Sequence, residues 1–193
     1  MHLNYKQPTF YRFNEDSTKL VKLALLSNKK KSNVLDLCSG CGVIGIEYAL
    51  LNENVSHLEF IEYQEEFLPF LDVNIKSLKD VRSGISTQVK NVNFEKYDSN
   101  KKYELIVCNP PYFISGSGQE SSNYKRQICR SFEVSSPRKL LLFILNHLTI
   151  SGEAFVILPR LGKVWLDARS EFDSNISILE KGDRIDFCKI RNV

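Results

Sequence analysis

The sequence NVLDLCSGCGVIGIEYALL, at residues 33–51, contains the pattern on which the predicted architecture depends. Its first five residues, Asn33–Leu37, form a short apolar run of the kind found in buried strands. Glycines then allow a tight turn, and Val43–Leu51 has the composition of a packed helix. A buried strand, a glycine-rich turn and a helix in succession indicate the first unit of a largely parallel α/β sheet.

The rest of the chain repeats this alternation of apolar runs and helical patterns. We predict further strands at His57–Ile61, Ile85–Val89, Tyr103–Cys108, Glu153–Leu158, Ile176–Leu179 and Asp186–Arg191. Helices are predicted where apolar residues recur at helical spacing, around Phe67–Leu78, Arg138–Leu148 and Lys163–Glu171. The expected fold is therefore α/β and Rossmann-like, a mostly parallel sheet with helices on both faces.

Chain length limits the number of domains. With 193 residues and 42% hydrophobic content, the chain can bury one sizeable core and is short for two. We therefore expect a single domain over residues 1–193, in which residues 1–32 form a leader and a first helix. Residues 113–135 are polar and serine-rich, and a loop of that length is usually functional or disordered; we expect it to face the substrate.

Charge and cysteine content narrow the class of protein further. The net charge of +3 is too small to indicate a nucleic-acid binder by itself, but the basic excess is concentrated between Ser121 and Lys139. An odd number of cysteines, five, and an N-terminus without an apolar run favour a reducing cytoplasm, and no run is long enough to cross a membrane. Cys38 and Cys41 spell C-x-x-C, but no second pair follows, so we expect no metal. We favour a monomer.

The glycines after the first predicted strand indicate a nucleoside-containing cofactor. Gly40, Gly42 and Gly45 match G-x-G-x-x-G, the pattern of dinucleotide-binding turns. Glu62 lies 20 residues after Gly42 at the end of the second predicted strand, where a carboxylate can accept hydrogen bonds from both ribose hydroxyls. A nicotinamide or flavin dinucleotide and S-adenosylmethionine both fit these residues.

Asp36 favours S-adenosylmethionine of the two. It lies four residues before Gly40, and its carboxylate would repel a nearby pyrophosphate. S-adenosylmethionine has no phosphate and carries a sulfonium and an α-ammonium, so the carboxylate suits it, unless Asp36 merely caps a turn. Asn91, after the third predicted strand, is placed to bond the amino group and a ring nitrogen of adenine, or is a solvated loop residue.

Asn109-Pro110-Pro111-Tyr112 directly follows the fourth predicted strand. Prolines fix φ and lack an N–H, and a proline disfavours helical backbone at the residue before it, so this turn is stiff. It can aim two acceptors, the Asn109 side-chain oxygen and the Pro110 carbonyl, at one NH2 group, while the Tyr112 ring offers a stacking face. The turn therefore predicts a site for a planar amine, with an ordinary strand-ending turn as the alternative.

Together these motifs resemble the class I S-adenosylmethionine-dependent methyltransferases, from about residue 33 to the C-terminus. The resemblance rests on Asp36–Gly42, Glu62 and Asn109–Tyr112; Cys38 stands where that family commonly has glycine. It implies a seven-stranded sheet with an antiparallel last strand. It also implies S-adenosylmethionine as cofactor, bound by Asp36, Cys38, Gly40, Gly42, Glu62, Asn91 and Asn109.

In that wider family, Asn-Pro-Pro-Tyr marks methyl transfer to a planar nitrogen of adenine, cytosine, guanine or a glutamine side chain. Asn109 and Pro110 would stabilise the charge that develops on this nitrogen, and Tyr112 would stack on the base. We therefore expect Asn109, Pro110 and Tyr112 to be the catalytic residues. DNA-modifying relatives usually add a target-recognition domain and release-factor enzymes a helical N-terminal domain, and neither addition fits the 32 residues before the first predicted strand.

Two regions are similar to the bacterial enzymes that methylate N6 of adenosine at position 37 of valine tRNA. They are the aromatic-basic segment Phe10–Ser17 and the stretch from Asn109 to Pro159. The resemblance implies a tRNA substrate, bound by Tyr11, Arg12, Phe113, Lys125, Arg126 and Arg130. We therefore predict an RNA adenine N6-methyltransferase. Four alternatives stay open: transfer to a protein glutamine, transfer to guanine N2 of rRNA, a non-catalytic RNA-binding protein of this fold, and a dinucleotide oxidoreductase. The leader aromatics could instead only pack against the core, and the arginines could lie on a solvated loop.

Overall fold

The structure, a computed structural model, describes residues 3–27, 30–114, 131–132 and 137–193. Its helices are Glu15–Leu25 (α1), Val43–Leu51 (α2), Leu68–Val81 (α3), Pro137–His147 (α4) and Lys163–Glu171 (α5). Its strands are Asn33–Leu37 (β1), His57–Glu62 (β2), Ser86–Asn91 (β3), Tyr103–Cys108 (β4), Phe113–Ile114 (β5), Ser131–Phe132 (β6), Leu148–Pro159 (β7), Ile176–Lys181 (β8) and Ile185–Ile190 (β9). Among these residues, no helix is long and apolar enough to cross a membrane.

Seven strands form one sheet in the order β3-β2-β1-β4-β7-β9-β8. The first five of these are parallel, and β9 runs antiparallel to both of its neighbours. The expected mostly parallel, seven-stranded sheet with an antiparallel last strand is therefore confirmed. The strand order changes direction between β1 and β4, which is where ligands bind in open α/β sheets.

Helices cover both faces of this sheet because successive residues of a strand point to opposite sides. Val34 of β1 packs in one cluster with apolar residues of α1, α2 and α3. Leu35 and Leu37 pack on the opposite face with apolar residues of α4 and α5. Covered on both faces, β1 is buried from Val34 onward, which explains why its sequence is nearly continuous in apolar residues.

The largest difference from the predicted elements is at the start of β7. This strand begins at Leu148, whereas the sequence predicted Glu153. Its register against β4 shifts between Tyr103 and Leu105, so the four residues between Leu148 and Glu153 are accommodated as an irregularity within the pairing. Those residues are typical of a loop in sequence, and only the partner strand reveals that they continue the sheet.

The predicted loop at residues 113–135 contains two very short strands. β5 and β6 pair in parallel, Phe113 with Ser131 and Ile114 with Phe132. The remainder of the predicted loop lies outside the described residues. The two ends of this segment are thus held side by side next to the Asn109–Tyr112 turn.

Candidate active site

The carboxyl ends of β1, β2, β3 and β4 lie side by side at one edge of the sheet. Leu37, the last residue of β1, is paired with Ile61 on one side and with Cys108 on the other. Glu62 at the end of β2 is paired with Asn91 at the end of β3. This register brings to one edge all the predicted cofactor residues, Asp36, Cys38, Gly40, Gly42, Glu62, Asn91 and Asn109.

The turn after β1 has left-handed backbone at three positions. The φ angles are +57° at Cys38, +53° at Gly40 and +80° at Gly42. A Cβ atom at Gly42 would lie 2.5 Å from Leu71 Cδ1, whereas one at Gly40 would meet only Phe67, at 3.7 Å. Gly42 is therefore required by both its conformation and its surroundings, and Gly40 mainly by its conformation. Cys38 adopts a conformation that is uncommon for a residue with a side chain.

Asp36 is a buried carboxylate, 1% exposed, whose two oxygens have different surroundings. Its Oδ2 accepts a hydrogen bond from the Gly45 N–H at 2.8 Å, while its Oδ1 has no hydrogen-bond partner among the described residues. Burial raises the pKa of Asp36 well above the usual carboxyl range, and the nearby Glu62 charge adds to this effect. A cationic ligand group beside Oδ1 would offset the cost of burying the charge. The ammonium and sulfonium of S-adenosylmethionine meet that requirement.

Glu62 is a second buried carboxylate at this edge, and it holds the turn in place. Its Oε2 accepts from the Gly40 N–H at 2.7 Å and its Oε1 from the Gln64 N–H at 2.8 Å. Burial raises the pKa of Glu62, and these backbone hydrogen bonds oppose the shift. Because each carboxylate oxygen can accept more than one hydrogen bond, Glu62 can still bind ribose hydroxyls. It therefore ties the glycine turn to β2, a role its sequence position did not indicate.

Asn91 is exposed and has one kind of group available for a ligand. Its Nδ2 donates to the carbonyls of Glu62 and Tyr63, at 2.9 and 3.1 Å. An amide nitrogen carries two N–H groups, so these two bonds use both donors of Asn91. Its Oδ1 acceptor is the group that remains for a ligand. This oxygen suits the adenine amino group. A bond to a ring nitrogen, which we also expected from Asn91, needs another donor.

The Asn109–Tyr112 turn contains an internal contact between its first and last side chains. The Tyr112 hydroxyl donates a hydrogen bond to Asn109 Oδ1. Pro110 between them is buried, and Asn109 and Tyr112 are partly buried. Burial raises the pKa of the Tyr112 hydroxyl, so it stays protonated and remains a donor. The acceptor predicted to bind the target amine therefore already binds a donor of the protein.

The aromatic leader packs beside the glycine turn. The rings of Phe10 and Tyr11 meet the Phe67 ring edge to face, with centroids 5.7 and 5.6 Å apart. The Asn74 side chain fixes the leader backbone, since it bonds both the N–H and the carbonyl of Lys6, at 2.8 and 2.9 Å. Tyr11 is thus held at the edge of the site by packing, in a place from which it can also contact a ligand.

The other predicted substrate residues are described only in part. Arg12 is exposed on the leader. The backbone of Phe113 lies in β5, directly after the turn. The Phe113 side chain and Lys125, Arg126 and Arg130 lie outside the described residues.

The C-x-x-C pair is not arranged as a metal site in the described part of the chain. No group of three or more histidine, cysteine, aspartate or glutamate side chains there could hold a metal ion. Burial raises the pKa of the Cys41 thiol to about 12, so the thiolate that metal or redox chemistry needs is disfavoured at neutral pH. Cys41 instead packs with Val43 and Phe67 beneath the leader.

Three residues at the site were missed by sequence reasoning: Phe67, Asn74 and Trp165. Phe67 and Trp165 were assigned only to helices. Asn74 could have been recognised from the sequence, because it is a polar residue in the buried stripe of α3, between Leu71 and Leu78. The Trp165 indole donates to the Tyr112 carbonyl at 3.1 Å, a contact across 53 residues that no local pattern indicates.

Comparison with known proteins finds similarity to methyltransferases. The family described as the methyltransferase small domain matches residues 9–151. The chain is 30% identical over 146 residues to the tRNA1(Val) (adenine(37)-N6)-methyltransferase of Aliivibrio salmonicida, covering 74% of this chain and 59% of that protein. It is 38% identical over 154 residues to the release factor glutamine methyltransferase of Mycoplasma mycoides, covering 75% of this chain and 51% of that protein.

Solved structures support the fold. A T. thermophilus 16S rRNA guanine-N2 methyltransferase, crystallised with S-adenosylmethionine and guanosine, superposes with a TM-score of 0.64 at 15% identity. The superposition covers 94% of this chain and 44% of that one. The chain therefore spans between 44% and 59% of the length of these larger proteins.

Proposed function

The chain belongs to the methyltransferase small domain family, and from this we propose that it transfers a methyl group from S-adenosylmethionine to N6 of an adenine in tRNA. One observation carries the proposal. Asp36, a buried carboxylate with one oxygen unpaired among the described residues, lies near the end of β1, and the Asn109–Tyr112 turn follows the adjacent β4, at the point where the strand order reverses. A cation site and an amine site therefore lie next to each other.

The cofactor would be held by residues that suit its separate parts. Asp36 would bind the cationic methionyl end, Glu62 the ribose hydroxyls and Asn91 the adenine amino group. Gly40 and Gly42 keep the turn free of side chains, with Cys38 beside them. When bound, S-adenosylmethionine supplies a methyl group activated by its sulfonium. A dinucleotide suits this edge less, because the buried Asp36 carboxylate would repel its pyrophosphate.

Asn109 and Pro110 provide the chemistry on the acceptor side. Methyl transfer from a sulfonium mainly requires that the nucleophile be positioned in line. The Asn109 side-chain oxygen and the Pro110 carbonyl would accept hydrogen bonds from the two N–H groups of the amine. They would also stabilise the positive charge that develops on its nitrogen. The Tyr112 hydroxyl would give up its bond to Asn109, and its ring would stack on the base.

RNA binding is proposed for residues around the acceptor turn. Tyr11 and Arg12 of the leader, Phe113, Lys125, Arg126 and Arg130 would contact the phosphates and the unstacked nucleotide. tRNA is favoured by the similarity to the tRNA-modifying enzyme of Aliivibrio salmonicida. We propose that the protein acts in the cytoplasm, as a monomer and as one domain.

A glutamine side-chain amide is the second candidate acceptor. It is favoured by the 38% identity to the release factor enzyme of Mycoplasma mycoides. The same acceptors, Asn109 and Pro110, could hold an amide NH2 group, since both substrates present a planar nitrogen. The two functions therefore differ in partner rather than in chemistry.

The deciding experiment incubates the protein with labelled S-adenosylmethionine and either unmodified tRNA or purified release factor. We expect label in tRNA, and N6-methyladenosine when the tRNA is digested and its nucleosides are analysed by mass spectrometry. The Asn109→Ala variant serves as control and should label either acceptor at least about 100-fold more slowly. Label in the release factor alone would replace the leading proposal with the glutamine one.

A further inference from the structure

The Asn109–Tyr112 turn has few backbone donors of its own. Pro110 and Pro111 lack an N–H, so this turn cannot be fixed by the N–H bonds that hold most turns. Carbonyl oxygens remain the main points at which the rest of the protein can hold its backbone. The turn is stiff within itself, and a donor from another element can hold its far end relative to the sheet.

Trp165 supplies such a donor. Its indole Nε1 donates to the Tyr112 carbonyl at 3.1 Å. The side chain is 1% exposed and packs in the core cluster shared by α4, α5 and this face of the sheet. A buried indole is a rigid group, because it has only two rotatable bonds and close packing on its ring. The position of the Tyr112 carbonyl is therefore coupled to the position of α5.

Helix α5 is itself firmly attached to the sheet. Arg169 donates to the Pro159 carbonyl of β7 at 3.1 Å and to Asp186 Oδ2 of β9 at 2.8 Å. Asp186 is 3% exposed, so this pair is shielded from water. The end of the turn is thus connected through Trp165 and Arg169 to the half of the sheet that bears no cofactor residue.

We propose that Trp165 is a positioning residue for methyl transfer, holding the Tyr112 end of the turn so that Asn109 Oδ1 and the Pro110 carbonyl face the incoming amine. The inference rests on the proposed function and adds a residue to it. The bond to Trp165 uses the backbone of Tyr112, so it places no restraint on the Tyr112 hydroxyl, which has to leave Asn109 when the amine binds. Trp165 fixes the turn while allowing the one side-chain movement that the reaction requires.

The test removes the indole N–H and keeps an aromatic ring. In the Trp165→Phe variant, kcat for tRNA methylation should fall about five- to tenfold, the effect of one hydrogen bond, since 1.4 kcal/mol is tenfold. The KM for tRNA and the affinity for S-adenosylmethionine should each change less than about twofold, because neither contact involves α5. The matched control is Phe172→Leu, a buried residue of the same core cluster without this bond, which should keep the wild-type kcat.

A sharper variant is available because the chain has one tryptophan. Replacing Trp165 by 3-benzothienylalanine exchanges the N–H for sulfur and preserves the shape of the ring system. It should reproduce the lower kcat, with a loss of stability no larger than that of one buried hydrogen bond. A normal kcat in this variant and in Trp165→Phe would overturn the proposal, and so would an equal loss in Phe172→Leu, which would indicate a general effect of core packing.

A second readout does not depend on the methylated substrate. The single indole gives one indole cross-peak in a nitrogen-15 correlation spectrum. Its proton shift should change in Pro111→Ala, which loosens the turn, and stay unchanged in Ser170→Ala on the same helix. If tRNA is not methylated but this response is seen, the proposed function fails while the contact stands. If tRNA is methylated and the indole shift is insensitive to the turn, the positioning role fails alone.

Discussion

The two halves of the active site differ in what they lack. The cofactor half, residues 36–42 with Glu62, contains a buried carboxylate oxygen that has no partner in the described part of the chain. The acceptor half, residues 109–112, is closed on itself, because Tyr112 already donates to the oxygen of Asn109. Cofactor binding therefore places a positive charge beside Asp36, which has no counter-ion among the described residues. Substrate binding instead replaces the Tyr112 hydroxyl by the substrate amine as the donor to Asn109. Changes in the first half should alter cofactor affinity, and changes in the second should alter turnover.

The largest effect is expected from Asn109→Ala, which removes the acceptor in the second half. kcat should fall about 100- to 1,000-fold, the loss seen when one group that stabilises a developing charge is removed. The affinity for S-adenosylmethionine, measured by calorimetry, should stay within about threefold of wild type, since most of the proposed cofactor contacts lie in the first half. Loss of cofactor binding in this variant would remove the distinction between the halves.

Asp36→Asn should have the opposite pattern. Affinity for S-adenosylmethionine should fall by about 1.5–3 kcal/mol, roughly 10- to 150-fold, because a charged hydrogen-bond partner of a cation is lost. Stability without cofactor should not fall. Burial raises the pKa of Asp36 in the folded protein above its value in the unfolded chain. The ionisation of Asp36 therefore lowers the free energy of unfolding as the pH rises above the unfolded pKa. Urea denaturation and calorimetry on the two proteins provide the comparison.

The pH dependence of binding is the control for this charge. Cofactor affinity of the wild-type protein should weaken as the pH falls through the raised pKa of Asp36, because the protonated acid no longer attracts a cation. In Asp36→Asn this part of the pH dependence should be absent. A profile that is equal in both proteins would assign the effect to Glu62, the other buried carboxylate at this edge.

Gly42→Ala and Gly40→Ala test how rigidly the cofactor half is built. Gly42→Ala should lower the free energy of unfolding by about 2–3 kcal/mol, since it combines left-handed backbone with a 2.5 Å approach to Leu71. Gly40→Ala has the same backbone strain and ordinary contacts, so about 1 kcal/mol is expected. Urea denaturation of both variants measures the difference. Equal losses would show that the packing against Leu71 relaxes.

The sequence was sufficient for the parts of the site that depend on strand ends. β1 and β4 could be bounded because each is a continuous apolar run between polar turns, and the residues after them then had to share one edge. Contacts between distant elements could not be predicted. The Trp165 bond to Tyr112 depends on how α5 packs, and the start of β7 depends on its pairing with Tyr103. The donors of Asn91 are used by carbonyls that only the sheet brings near.

Tyr112→Phe should have the smallest effect and tests the closed state of the acceptor half directly. It removes the hydroxyl that occupies Asn109 Oδ1 and keeps the ring for stacking. Because the substrate amine no longer displaces a donor worth about 0.5–1 kcal/mol, the KM for tRNA should fall about two- to fivefold with kcat nearly unchanged. In an Asn109→Ala background the hydroxyl has no acceptor to occupy, so the same change should leave tRNA affinity, measured by fluorescence anisotropy, unaltered. A rise in KM would mean that the hydroxyl binds the substrate. The acceptor half would then, like the cofactor half, gain from its ligand an interaction that the free protein does not make.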